Sequence, residues 1–186
     1  MKEIKIMKIN MKTKLLLIVI AFSTAAFFVP VISAKKESKE AALLREAKIT
    51  MAEARKTALA RVPGNIEMAK LEREKGKILF EFEIHRADTN AEVEIHVDAI
   101  TGDVFETKEK SKGSAKEKEI FVQAKVSMDD AEAAALRSVA GGVVEAKLER
   151  ERGKVLYEFE IITSDGKETN VHVDASSGAV ESTGKK

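Results

Sequence analysis

Apolar and polar residues alternate through Ile78, Phe80, Phe82 and Ile84, and again through Val155, Tyr157, Phe159 and Ile161. A period of two with one apolar face predicts strands of a sheet buried on one side. A second alternating run, Val93, Ile95 and Val97, has its counterpart in Val171 and Val173. Shorter strands are expected around residues 69–71 and 146–148, and a short fourth strand begins at Val104-Phe105 and at Ala179-Val180. Ahead of each set the period changes. Met51, Ala54, Ala58, Leu59 and Val62 fall on one helical stripe, as do Met128, Ala131, Ala135, Leu136 and Val139. Thr50 and Ser127 precede these helices as N-caps, with Glu53 at capping-box spacing and Asp130 as a weaker version. Pro63-Gly64 and Gly141-Gly142 end them. Lys75-Gly76 and Arg152-Gly153 predict hairpin turns. In 98–102 and 174–178 an Asp can bond its own turn while Gly supplies positive φ. The expected fold class is α+β: two tandem modules, each one helix packed on a three- to four-stranded antiparallel sheet.

The two halves are copies. Residues 71–84, LEREKGKILFEFEI, and 148–161, LERERGKVLYEFEI, agree at eleven of fourteen positions. The offset of 77 also aligns 47–50 with 124–127, and after a one-residue deletion 95–99 aligns with 171–175. Duplication explains this, and both copies should share a fold. The expected boundaries are 41–107 for the first module and 119–183 for the second. The charged stretch 108–118, KEKSKGSAKEK, reads as a linker. Leu43-Leu44 and Ile120-Phe121-Val122 suggest a short lead-in element in each copy, while residues 35–40 and the tail after Ser182 are expected to be loose.

Residues 1–34 read as an address. Lys2, Lys5, Lys8, Lys12 and Lys14 stand against one acid, Glu3; an apolar stretch covers 15–32, and Ser33-Ala34 precedes a charged run. These are the three parts of a secretory signal, with cleavage expected after Ala34 and a periplasmic or secreted destination. Met7 and Met11 are alternative starts. The competing reading is an uncleaved anchor, because the apolar stretch is at the lower limit for a span. Only in that case is a membrane a partner. Without the leader the net charge falls from +1 to −3, which argues against nucleic acid as a partner. There is no Cys, so zinc ribbons, thiol chemistry, disulfides and a lipobox anchor are excluded. Trp is absent and Tyr occurs once, which disfavours a face of stacked aromatics.

The capped helix, its Pro-Gly or Gly-Gly end, the strand ILFEFEI and the turn VDAITG at 97–102 together resemble the PepSY domain. The resemblance covers about 48–107 and 125–182, with VDASSG as a mild departure in the second copy. It implies a secreted or envelope module of the kind found in propeptides of thermolysin-like metallopeptidases. It also implies a protein or peptide partner, an extracytoplasmic peptidase among the candidates, which the module binds or inhibits. No catalytic residues come with the family.

The sequence itself offers little chemistry. There is no Gly-x-Ser-x-Gly, no His-Glu-x-x-His and no phosphate-cradling Gly loop, so no enzyme activity and no cofactor are expected. By alternation, Glu81, Glu83, Glu92, Glu94, His96 and Asp98 share the solvent face of the first copy. That acidic face is the candidate site, for a cation or a basic peptide, and it supports the alternative of a cation-binding or stress-responsive envelope protein. The second copy keeps Glu158, Glu160, His172 and Asp174 but has Asn170 in place of Glu94. A His-x-Asp pair per copy is short of a metal site, so none is expected. His85 has Ile162 as its counterpart and carries no role.

Overall fold

A computed structural model describes residues 37–89 and 91–185. The expected signal and the cleavage point after Ala34 lie outside the described residues. The chain from residue 36 onward is one compact unit. Among the described residues, no helix is long and apolar enough to cross a membrane.

Each copy is built as a lead-in helix, a main helix and a four-stranded meander. The first has α1 (Lys39–Glu46), α2 (Met51–Arg61), β1 (Gly64–Glu74), β2 (Lys77–Arg86), β3 (Ala91–Asp98) and β4 (Val104–Lys112). The second has α3 (Ala115–Gln123), α4 (Met128–Ser138), β5 (Gly142–Glu151), β6 (Lys154–Ile162), β7 (Glu168–Asp174) and β8 (Val180–Lys185). The Thr50 hydroxyl accepts from Glu53 N at 3.2 Å while the Glu53 carboxylate accepts from Thr50 N at 2.7 Å, a complete capping box on α2. At α4 the Ser127 hydroxyl accepts from Asp130 N, without the reciprocal bond. Lys75 and Arg152 take positive φ beside Gly76 and Gly153, the turn that a two-residue hairpin requires.

The two expected sheets are one. Its strand order is β4-β3-β2-β1-β5-β6-β7-β8, and β1 pairs antiparallel with β5 at the centre. At this seam Ala69 faces Ala146, its own duplicate. A single row of core residues therefore crosses the sheet: Ile95, Phe82, Ala69, Ala146, Phe159 and Val171. All six are fully buried, within one core cluster that spans both copies. A lone module of this size would bury too little surface for comfortable stability, and fusion at the seam removes that weakness.

The helices join at the same place. Arg55 of α2 is 2% exposed and lies between Asp129 and Glu132 of α4. Its Nε donates to Asp129 Oδ1 at 2.7 Å. Its Nη1 sits 2.7 Å from Glu132 Oε2, pairing as a charge rather than through a well-aligned hydrogen bond. Residues 55 and 132 are also duplicates of each other, separated by the repeat offset. A symmetric pair would set like against like here, whereas the duplicated chain sets Arg against Glu.

Two expectations are corrected. Residues 108–118 are not a linker: 108–112 complete β4 and 115–118 open α3. The ends are ordered further than expected. Ser38 caps α1, which starts at Lys39, and β8 continues to Lys185. Alternating Glu and Lys carry no apolar signal, so a strand made of them reads as linker.

The terminal turn of the second copy yields a pH prediction. Asp174 Oδ1 accepts from the Ser176 and Ser177 hydroxyls at 2.5 and 3.0 Å and from their amides at 2.9 and 2.8 Å. These bonds, the Ser176 hydroxyl foremost, hold the carboxyl at about 2 against the opposing effect of burial. The folded value lies below the unfolded one of about 3.9, so the stabilisation is complete above that pH and is lost as pH falls towards 2. Carboxyl NMR should find the Asp174 midpoint near 2. Asp174→Asn should remove that part of the acid dependence of unfolding.

Candidate functional site

The six candidate residues lie on β2 and β3, on the face opposite the core, and all but Asp98 gather there. Glu81 lies opposite His96 and Glu83 opposite Glu94. The face is not an open acidic surface, however, because β4 covers it with lysines. Lys110 Nζ reaches Glu83 at 2.6 Å, Glu94 at 3.0 Å and Glu92 at 3.6 Å. Lys108 Nζ reaches Glu106 at 3.0 Å and Glu94 at 3.3 Å. Burial opposes the charge on Lys110, yet its bonds to Glu83 and Glu94 prevail and hold the ammonium above the ordinary lysine range. Burial likewise pushes Glu94 up, but Lys110 and Lys108 prevail and hold it low. Glu81 behaves differently: burial first, then the charges of Glu72 and Glu94, raise it.

His96 departs most from expectation. Alternation places it facing solvent, but it is 1% exposed. Two register shifts on β4 each leave one residue outside the ladder. One is Phe105, whose ring lies 5.7 Å from the His96 ring; the other is Lys110. Bulges redirect side chains in this way. The second copy repeats the shift beside His172, so the residue placed at the bulge makes the difference. Four carboxylates complete the enclosure. Glu94 Oε1 and Glu81 Oε2 lie 3.1 and 3.3 Å from Nε2, and Glu106 Oε2 and Glu74 Oε2 lie 3.2 and 3.6 Å from Nδ1. Despite this proximity neither ring nitrogen makes a hydrogen bond. Glu74 and Glu106 were not among the expected site residues.

Asp98 does not join the cluster. Its Oδ1 accepts from Ile100 N at 2.8 Å and Thr101 N at 3.0 Å, so it serves the turn. His85 is also buried, with Nε2 2.6 Å from Glu67 Oε2 and its ring 4.9 Å from that of Phe121 in α3. It ties the second copy's lead-in helix to the first copy's sheet. A cleft of about 320 Å³ at the seam is lined by Arg55, Leu59, Ile66, Phe121, Met128 and Tyr157, among others. Arg55 and Asp129 on its wall are already paired with each other.

The second copy lacks most of this enclosure. Position 105 becomes Glu181, 94 becomes Asn170 and 106 becomes Ser182. His172 is correspondingly more open, with Nδ1 2.9 Å from the Ser182 hydroxyl and Nε2 3.8 Å from Glu158.

The repeat architecture has a known counterpart. The model of the peptidase propeptide and YPEB domain, PepSY, matches residues 48–108 and 125–183. The chain belongs to the PepSY family. The Bacillus subtilis (strain 168) protein YkoJ, described as uncharacterized, is 30% identical over 146 residues, covering 77% of this chain and 78% of YkoJ. Among solved structures, a Clostridium difficile 630 protein described as a candidate lipoprotein is 24% identical with a TM-score of 0.46, covering 77% of this chain and 97% of the other. The Bacillus subtilis YpmB protein is 15% identical with a TM-score of 0.33, covering 73% and 95%. Both PepSY matches fall inside the eight-stranded unit, one on each side of the β1–β5 seam.

Proposed function

We propose that this chain is a non-catalytic binding protein of the periplasm or cell exterior, and that its partner is a peptidase of the same compartment. The observation that carries the reading is the pair of PepSY matches, a domain whose description names peptidase propeptides, covering both halves of the chain. The basic, apolar and small-residue order of 1–34 supports export.

The sheet offers a mode of binding. Its two outer strands are β4 and β8. β4 is guarded by Lys108 and Lys110, a common defence of strand edges. β8, VESTGK, has only Glu181 and Lys185 as charges, and Glu181 is held by Lys154 at 2.7 Å. An extended segment of the partner would add beside Ser182, Thr183 and Gly184, gaining main-chain hydrogen bonds. The test is the residual activity of a thermolysin-like metallopeptidase titrated with residues 36–186, with the added protein checked for cleavage. Saturable inhibition by intact protein is expected. A flat titration by intact protein would remove the inhibitory reading.

A further inference from the structure

The enclosure of His96 is expensive unless it serves a purpose. A buried imidazole with two unbonded nitrogens loses its water contacts and regains none of them. The first copy surrounds it with acids, where the second copy leaves a half-buried histidine bonded to the Ser182 hydroxyl. The geometry points to a divalent transition-metal site in the first repeat, with His96 Nε2, Glu81 Oε2 and Glu94 Oε1 as ligands.

The distances fit such an ion. Donors arranged tetrahedrally at zinc-type bond lengths of about 2.0–2.1 Å lie about 3.3 Å from one another. Glu94 and Glu81 lie 3.1 and 3.3 Å from Nε2, and the three donor atoms fall within 4.8 Å of one another. The fourth position is left to water or to a partner's side chain. The opposite nitrogen then has its own role. With Nε2 on the metal, Nδ1–H faces Glu106 and Glu74, the outer carboxylates that orient a ligating histidine.

Glu81, the one carboxylate of the four with no lysine pair among the described residues, favours Nε2 as the binding nitrogen. Glu74 and Glu106 each hold a lysine through Oε1, Lys75 at 2.8 Å and Lys108 at 3.0 Å, and turn Oε2 towards Nδ1. Among the ion pairs of the described residues, Glu81 has His96 as its partner and no lysine. Glu94 keeps Lys110 on Oε2 at 3.0 Å, and a metal on Oε1 would displace the longer contact with Lys108 at 3.3 Å. One imidazole with two carboxylates favours zinc-class ions over calcium or magnesium, which prefer all-oxygen shells. The other buried histidine is a poorer candidate. His85 Nε2 is already bonded to Glu67, and the nearby Glu117 caps α3 through Ser114 N at 2.5 Å. The proposal stands independently of the peptidase reading.

The test uses residues 36–186, the compact unit. Zn²⁺ is titrated by calorimetry and Co²⁺ by visible absorption, which reports tetrahedral nitrogen–oxygen coordination. One Zn²⁺ per chain is expected, together with a tetrahedral Co²⁺ spectrum. His96→Gln and Glu81→Gln should each weaken Zn²⁺ binding by about 100-fold or more, the upper end of what losing even an outer-shell partner costs, and His172→Gln should leave it unchanged. Circular dichroism checks that each variant is folded, and Glu81→Gln carries the test if His96→Gln is not. No binding of Zn²⁺ by the parent protein would overturn the site. Equal binding by folded Glu81→Gln would also overturn it, as would Ca²⁺ competing at equal concentration.

Discussion

Arg55→Ala should lower the unfolding free energy by about 3–5 kcal/mol, because removing one member of a buried ion pair strands its partner. Glu132 is 5% exposed and loses the cation that faces it once the guanidinium is gone. The loss exceeds that of a surface pair, which is typically below about 1 kcal/mol. Urea denaturation measures it. The pseudo-symmetry predicts the outcome of exchanging the charges. Arg55→Glu alone sets two acids together and should be worse than Ala. Adding Glu132→Arg should recover only part of the loss. Asp129, which now supports Arg55, has Ala52 as its duplicate. The relocated arginine would lack that second carboxylate, and the relocated glutamate would face Asp129.

Phe82→Ala should cost about 3–5 kcal/mol, the range for deleting a buried phenyl ring. Phe82 is fully buried and stands in the row that crosses the sheet through Ala69 and Ala146 to Phe159. Two alanines at the seam leave little bulk to absorb a cavity from either side. Tyr157 is the only tyrosine and the chain has no tryptophan, so its fluorescence reports the second repeat alone. Because one core spans both repeats, the change in the first should shift the Tyr157 transition as far as it shifts far-ultraviolet circular dichroism. A Tyr157 transition that stays in place would show that the repeats unfold separately.

The inner strands and main helices were legible because their burial has a period. Phe80, Phe82 and Ile84 point into the core, and Thr50 caps where its spacing to Glu53 says it should. β4 was not legible beyond its first residues, since Glu106, Lys108 and Lys110 describe a strand by their partners rather than by hydrophobicity. The alternation placed His96 on the correct face but could not show its burial. That depends on which residue stands at a bulge both copies share, Phe105 here and Glu181 in the second copy, and on long acidic side chains closing around the ring. A comparison of the copies at 105/181 and 106/182 carried the signal, because the second copy loses there what encloses the first. Likewise nothing in a period of two says which strands meet, so the β1–β5 seam was invisible. Arg55 and Glu132 at equivalent positions were its one trace.

The measurement that tests the functional account most directly is hydrogen–deuterium exchange of residues 36–186, with and without a catalytically inactive variant of a thermolysin-like metallopeptidase whose active site is open. The account predicts slowed exchange of backbone amides in β8, around Ser182, Thr183 and Gly184, where an added strand would pair. Exchange that is unchanged throughout residues 37–185 at saturating peptidase would contradict it.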